Sequence, residues 1–270
     1  MFWYYLDCMK RSTTQSAFSL VELSIVLVIL GLLTGGILGG QSLIRAAELR
    51  SLTADTQRYS AAVYTFRDKY FGLPGDLTNA TSFWGAAADC SAATTTASIL
   101  TCNGNGNGQI EWSTPSVERS EMHAFWQQMA AAGLVEGSYT GGRVGNGYSA
   151  GTGPGVNAPR TRISNGCWST FTNTFTPTVN LTSVTGTNML MAGTVYSDGT
   201  NPDYCYQPLI KPEEAWNLDT KTDDGRPGIG RVVVWNNLRN PGCASTDDPT
   251  TAAYQLNSAT VSCSIQYMLY

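Results

Sequence analysis

FSLVELSIVLVILGLLTGGILGGQSLI, residues 18–44, contains a single charged side chain, that of Glu22. As a helix rising about 1.5 Å per residue, this stretch is longer than the roughly 30 Å hydrocarbon core of a bilayer. Lys10 and Arg11 precede it, and basic residues are retained on the cytoplasmic side of a membrane. The sequence therefore predicts one membrane span, with the rest of the chain exported.

An ordinary secretory signal is the alternative interpretation of this N-terminus. Such a signal has an apolar region of about 7 to 15 residues, followed by a small-x-small cleavage site. The apolar run here is longer, and no clean site of that kind follows it. A span that stays with the mature chain is the favoured interpretation.

Glu22 is the unusual residue of the span, because a charged side chain in the middle of a membrane helix costs about 2.5–3.5 kcal/mol on insertion scales. Residues 16–31, SAFSLVELSIVLVILG, resemble the cleavage and methylation signature of type IV prepilins. The resemblance combines a basic leader, a small residue before Phe18, a Glu at the fifth mature position and an uninterrupted apolar helix.

This resemblance implies that a prepilin peptidase removes residues 1–17 by cutting between Ala17 and Phe18, and then methylates the new amino group of Phe18. It also implies that the Glu22 carboxylate pairs with the N-terminal amine of a neighbouring subunit during assembly. The sequence departs from the family at Ala17, where Gly is usual.

The fold that the resemblance implies is an α+β type IV pilin-like fold. In it, a long N-terminal helix (18–71) packs on a C-terminal antiparallel sheet with disulfide-pinned loops. Residues 18–44 would form the membrane span and later the filament core, and 72–270 would form the exported head. Apolar residues at spacings of three and four support the second half of this helix, and Gly72 and Pro74 predict its end. These apolar positions are Leu49, Leu52, Thr56, Tyr59, Val63, Phe66 and Tyr70.

Three glycines, Gly31, Gly35 and Gly39, recur at every fourth position within the apolar segment. Small residues at this spacing let membrane helices approach closely, but each Gly also weakens a helix by about 1 kcal/mol. Tight packing or local unwinding in a filament is one interpretation. A plain small-residue membrane face is the other.

Six cysteines follow the apolar segment, and an even number of widely spaced cysteines in an exported chain predicts up to three disulfides. Fifteen pairings are possible, and buried free thiols are the alternative. Pairing of nearest neighbours would join Cys90 to Cys102, Cys167 to Cys205, and Cys243 to Cys263.

Composition argues against several function classes. The net charge of −4 disfavours nucleic acid as a partner, because phosphate binding needs clustered Lys and Arg. His123 is the only histidine and no CxxC motif occurs, so zinc and haem sites lack ligands. No nucleophile–base pair is evident. His123 is expected to be a packing or surface residue, and the protein is predicted not to be an enzyme.

Two segments offer oxygen ligands of the kind that Ca²⁺ prefers. Asn103, Asn105 and Asn107 alternate with glycines as in a calcium loop, but they lack carboxylates, so a disulfide-bounded turn is favoured. The segment that contains Asp219, Asp223 and Asp224 resembles a turn before a late strand of pseudopilins. Its carboxylates are candidates for a structural Ca²⁺ ion, although a capped turn is the preferred interpretation.

Further elements of the body follow from local pattern. Thr114 and Pro115 predict a helix start that runs to Gly133, and a shorter helix is predicted over 212–219. Three β-like runs span 189–196, 231–235 and 263–269, and Gly-rich loops occupy 133–159.

The predicted function is that of a structural subunit of a type IV pilus or pilus-like filament. A pseudopilin or minor pilin of a type II secretion or DNA-uptake machine is the alternative within the family. A membrane-anchored adhesin that binds through loop aromatics such as Tyr139 and Tyr148 is the alternative from another class. The expected partners are other pilin subunits, the prepilin peptidase, an inner-membrane assembly platform and, before assembly, the bacterial inner membrane; the final location is a periplasm-spanning or extracellular filament.

Overall fold

The computed structural model describes residues 19–90, 96–111, 120–142, 153–173, 180–181, 185–195, 205–235 and 240–269. The predicted cleavage position between Ala17 and Phe18 lies outside these residues. Contacts divide the chain into two compact units, one ending at Ala46 and the other starting at Ala47. The division falls inside the first helix, so the second half of that helix belongs to the body.

Helix α1 spans Leu20–Tyr70, within the predicted range of 18–71. It is long and apolar enough at its N-terminal end to cross a membrane. The helix stops at Phe71, which adopts a left-handed conformation (φ 57°) while its N–H donates to the Arg67 carbonyl at 2.8 Å. Gly72 and Pro74 follow, as expected for a helix end.

The second half of α1 buries the face that the sequence predicts. Leu52, Tyr59, Val63 and Phe66 are all buried, and Leu49 and Tyr70 are partly buried against the same core. Ala62 is an additional buried position. The spacing of three and four residues therefore reflects packing of this helix against the body.

Within the described residues, three shorter helices follow: α2 (Ala80–Trp84), α3 (Glu121–Ala131) and α4 (Pro212–Thr222). Helix α3 begins at Glu121, and the extended Ser120 (φ −98°, ψ 161°) interrupts the helix that the sequence predicts from Thr114 to Gly133. Residues 112–119 lie outside the described chain. Gly133, with φ 73°, lies just past the end of α3, as predicted.

The described part of the chain forms an antiparallel sheet of five strands in the order β1-β3-β5-β4-β2. The strands are β1 (Gly166–Asn173), β2 (Asn180–Leu181), β3 (Thr187–Thr194), β4 (Val232–Trp235) and β5 (Ile265–Met268). β4 and β5 fall within predicted runs, and β3 overlaps the run predicted over 189–196 but begins two residues earlier. β1 and β2 were not predicted. The α+β class with an antiparallel sheet is confirmed.

The sheet is buried on both faces. On the face towards α1, Trp168 of β1 packs with Tyr59 at a ring distance of 5.6 Å, and Tyr59 also meets Trp126 of α3 at 5.0 Å. Edge-to-face pairs of this kind contribute about 0.5–1.5 kcal/mol beyond their burial. On the other face, Phe171 and Trp235 belong to a smaller cluster.

Three disulfides staple the body. They join Cys90 to Cys102, Cys167 to Cys205, and Cys243 to Cys263. This connectivity confirms the pairing of nearest neighbours and excludes free thiols at these six positions. Each bridge limits the conformational freedom of the unfolded chain, and removal of a bridge of this kind typically lowers the free energy of unfolding by about 2–5 kcal/mol.

Candidate functional site

Glu22 lies in the first turn of α1 and has a local role that the sequence analysis missed. Its Oε2 atom accepts a hydrogen bond from the backbone N–H of Ser19 at 2.9 Å, and Ser19 Oγ accepts from the N–H of Val21 at 3.3 Å. This reciprocal arrangement resembles a capping box, with Ser19 Oγ bound to the N–H of the second helical residue in place of the third. The Ser19-x-x-Glu22 spacing was the signal that could have identified it.

The capping box offers a second explanation for a carboxylate at this position. Negative charge is favourable near the N-terminus of a helix, where free N–H groups point outward. Capping uses an acceptor oxygen, whereas pairing with a neighbour's amine requires the negative charge. Substitution of Glu22 by Gln separates these two roles, because an amide oxygen can still accept the Ser19 hydrogen bond.

Gly31, Gly35 and Gly39 lie in an unbroken part of α1. A Cβ atom built at any of the three would meet no atom within 4 Å. By contrast, a Cβ at Gly104 or Gly193 would approach neighbouring backbone to 2.4 or 2.2 Å. Packing within one chain therefore explains Gly104 and Gly193 but not the three glycines of the apolar segment.

Asp219, Asp223 and Asp224 come together at the end of α4, with one carboxylate oxygen from each lying within 4.8 Å of the others. Asp219 is fully buried and accepts hydrogen bonds from Gly225 N–H at 3.1 Å and Tyr254 O–H at 2.8 Å. Helix α4 positions Asp219, and the turn that follows it positions the other two.

Backbone donors occupy the other two carboxylates of this cluster as well. Asp223 Oδ2 accepts from the N–H groups of Arg231 and Val232, and Asp224 Oδ1 accepts from Arg226 N–H at 2.9 Å. This network is that of the capped turn, the interpretation preferred from the sequence. The convergence of three carboxylates is also what a hard cation such as Ca²⁺ requires.

Burial changes the acidity of Asp219. Loss of solvation raises the pKa of its carboxyl from 3.8 to about 7, and the negative charges of Asp224 and Asp223 add to the rise. The hydrogen bonds from Tyr254 and Gly225 oppose it. The cluster therefore holds a proton on Asp219 at mildly acidic pH, and this proton would leave if a cation bound.

The Asn–Gly turn at 103–108 is organised around an anion and not a cation. The carboxylate of Asp76, only 4% exposed, accepts from the N–H groups of Gly106 (2.6 Å), Asn107 (3.1 Å) and Gly108 (2.8 Å). The interpretation as a disulfide-bounded turn is supported, because Cys102 at its start is bridged to Cys90. Asp76 was missed in the sequence, since it lies far from the turn along the chain.

A second carboxylate fixes the same turn from α3. Glu121 accepts from the N–H groups of Asn105 and Glu111, each at 3.0 Å. Loss of solvation raises the pKa of Glu121 to about 7, and the nearby charges of Asp76 and Glu111 contribute to the rise. The first turn of α3 and the Asn–Gly turn are thereby held together.

His123 and Tyr139 have packing roles. His123 is 1% exposed, and its Nδ1 lies 3.0 Å from Ser120 Oγ. Tyr139 is 6% exposed and donates to the Glu136 carbonyl at 3.0 Å. The suggestion that Tyr139 presents its ring to a ligand is therefore wrong, because the ring is packed in the body; Tyr148 lies outside the described residues.

No protein-family model, curated protein or solved structure matches this chain.

Proposed function

We propose that this chain is a structural subunit of a type IV pilus or a pilus-like filament, anchored in the inner membrane before it assembles. The observation that carries the proposal is the N-terminal arrangement. A helix able to span a membrane begins at Leu20, contains one acidic residue in its first turn, and continues into a second half packed on a disulfide-stapled α+β body.

The physical argument concerns the fate of the apolar helix. Its large apolar side chains are exposed in the single chain over residues 20–44, among them Leu20, Leu32, Leu38 and Leu43. An exposed apolar surface of this size needs lipid or other helices to cover it. A filament in which such helices bundle replaces the lipid, and the glycines of the segment let the backbones approach.

The first experiment is intact mass measurement and N-terminal sequencing of the chain recovered from sheared cell-surface material. The expected result is a chain that begins at N-methylated Phe18, lacks residues 1–17 and retains its disulfides. Recovery of the processed chain only with the cell envelope would favour a pseudopilin or minor pilin. An uncut chain confined to the membrane would contradict assembly and favour a membrane-anchored binding module.

The second experiment tests Glu22 through the variants Glu22→Gln and Glu22→Ala. Glu22→Gln keeps the capping acceptor for Ser19 but removes the charge that would pair with a neighbour's amine. We expect both variants to be exported and folded but to form no filaments, as judged by electron microscopy. Glu48→Gln, the same change on the same helix outside the apolar segment, is the matched control. Normal filaments in Glu22→Gln would show that Glu22 serves as a cap alone.

A further inference from the structure

Three Asn–Gly steps follow one another in the turn after Cys102: Asn103–Gly104, Asn105–Gly106 and Asn107–Gly108. Asn followed by Gly is chemically vulnerable, because glycine has no Cβ to shield its backbone nitrogen or to restrict its approach. The Gly nitrogen can reach the side-chain amide carbon of the preceding Asn. Three such steps in a turn of six residues form a candidate site of covalent change.

The reaction would be deamidation with water as co-reactant. The Gly nitrogen loses its proton and bonds to Asn Cγ, the Cγ–Nδ2 bond breaks, and ammonia leaves with that proton to give a cyclic imide. Water then opens the imide to Asp or isoaspartate. The net change replaces a neutral amide by a carboxylic acid and releases one ammonia for each water consumed.

In the folded chain, the attacking N–H of each glycine is already engaged. Gly104 N–H donates to the Leu77 carbonyl at 2.9 Å. Gly106 N–H donates to Asp76 Oδ1 at 2.6 Å and to the backbone carbonyl of Asp76 at 3.1 Å, and Gly108 N–H donates to Asp76 Oδ2 at 2.8 Å. The third step therefore depends on the buried carboxylate alone, the second step depends on that carboxylate and on a main-chain carbonyl, and the first step does not depend on it.

The amide side chains are also held. Asn103 Oδ1 accepts from Thr81 N–H at 2.9 Å, Asn105 Oδ1 from Asn107 N–H at 2.9 Å, and Asn107 Oδ1 from Gln109 N–H at 2.8 Å. The Nδ2 groups of Asn105 and Asn107, which would leave as ammonia, donate to the Glu111 carboxylate at 3.1 and 2.9 Å. Rotation of either amide towards its own glycine would break these bonds.

We propose that the turn at 103–108 is a latent deamidation site and that the Asp76 carboxylate protects Asn105 and Asn107 from the reaction by binding the N–H groups of Gly106 and Gly108. Asn103 is protected separately by the Leu77 carbonyl. A new carboxylate at 105 or 107 would face Glu111 in place of the amide that now donates to it, so the change would loosen the turn. The inference does not depend on filament assembly.

The test compares deamidation rates at the three positions in the full chain, purified in detergent with its disulfides intact. Samples are incubated at mildly alkaline pH, digested at acidic pH where imide formation is slow, and sequenced by fragmentation mass spectrometry. The wild-type chain unfolded in denaturant with reduced disulfides gives the unprotected rate. Asp68→Ala, which removes an exposed α1 carboxylate, is the matched control.

In Asp76→Ala we expect deamidation at Asn107 to rise roughly 10- to 100-fold, the loss expected for a hydrogen bond to a charged acceptor. The rise at Asn105 should be smaller, because Gly106 N–H keeps its bond to the backbone carbonyl of residue 76. Asn103 should keep the wild-type rate, because its glycine donates to Leu77. In Asp76→Asn, which retains a neutral acceptor oxygen, the deamidation rates should lie between those of Asp76→Ala and those of the wild type.

Three results would overturn the proposal. The first is a folded wild-type chain that deamidates as fast as the unfolded chain. The second is an unchanged rate at Asn105 and Asn107 in Asp76→Ala. The third is an equal rise at all three positions in both Asp76 variants, since this would indicate general unfolding and not the loss of a specific guard.

Discussion

The buried carboxyl of Asp219 predicts that this protein becomes less stable as the pH rises towards neutrality. Asp219 is fully buried, and loss of solvation raises its pKa from 3.8 in the unfolded chain to about 7 in the folded one. Above pH 3.8 the unfolded chain releases this proton while the folded chain retains it. The stabilising contribution is therefore complete below about pH 4, falls as the pH rises, and is lost above about pH 7.

The size of the effect follows from the two pKa values. Each pH unit between them corresponds to ~1.4 kcal/mol, so the interval from 3.8 to about 7 sets an upper limit of roughly 4 kcal/mol. This is a large part of the 5–15 kcal/mol that stabilises a typical domain. Asp219→Asn keeps an acceptor for Gly225 and a partner for Tyr254, but it has no proton to lose.

We therefore expect Asp219→Asn to match the wild type near pH 4 and to exceed it by up to roughly 4 kcal/mol at pH 8. The assay is urea unfolding of the unit that begins at Ala47, monitored by tryptophan fluorescence in the presence of a chelator. Glu121, whose pKa burial also raises to about 7, contributes to both proteins and cancels in the comparison.

Asp248→Asn is the control for this experiment. Asp248 is exposed, and hydrogen bonds from Thr250 lower its pKa, so the difference in stability between Asp248→Asn and the wild type should be constant from about pH 4 to pH 8 and change only in acid. A difference between wild type and Asp219→Asn that does not change with pH would refute the reasoning. So would an Asn variant that is less stable at pH 8. Repeating the wild-type measurement with calcium tests the aspartate cluster. We expect no gain in the free energy of unfolding, because backbone donors already occupy the carboxylates. A calcium site would instead stabilise the wild type at pH 8 and leave Asp219→Asn unchanged.

Two further predictions concern stability. Replacing Cys167 and Cys205 by Ala opens a loop of 38 residues and should lower the free energy of unfolding by about 4 kcal/mol on chain-entropy grounds. Replacing Cys90 and Cys102, which close a loop of 12 residues, should lower it by about 3 kcal/mol. Urea unfolding measures both losses, and the reverse order would contradict this reasoning. Phe71→Gly should stabilise the body by ~0.5–1 kcal/mol, because Phe71 is 94% exposed and its left-handed conformation suits glycine. Lys69→Gly, in the last turn of α1, should instead destabilise by up to ~1 kcal/mol, and a loss in both variants would refute the assignment of strain to Phe71.

The parts of the fold that could be predicted have long or strong local patterns. The spacing of Leu52, Tyr59 and Phe66 identified the buried face of α1, and β-branched runs identified β4. Strand β1 was missed because all eight of its residues are buried, so it shows no alternation, and because Ser, Thr and Asn interrupt its apolar residues. Strand β2 is two residues long and leaves no pattern at all.

The residues of the candidate site were likewise predictable only where their signal is local in the sequence. The Glu22 motif and the segment of Asp219 are contiguous in sequence, so both could be identified from residue type and spacing. Asp76 could not, because its partners lie about 30 residues further along and only the folded chain brings them together. The pairing of neighbouring cysteines was predictable because each bridge closes a loop that contains no other cysteine.

Because no disulfide loop encloses another, the three bridges also limit how far the molecule can be stretched. If tension acts on α1 and on the C-terminal strand, the three loops closed by disulfides, spanning 12, 38 and 20 residues, are bypassed and carry no load. At about 3.4 Å per residue, they remove roughly 220 Å from the extended length of the chain. The bridges leave residues 47–89, 103–166 and 206–242 free of covalent restraint, so tension that enters through α1 meets its first covalent lock at Cys90.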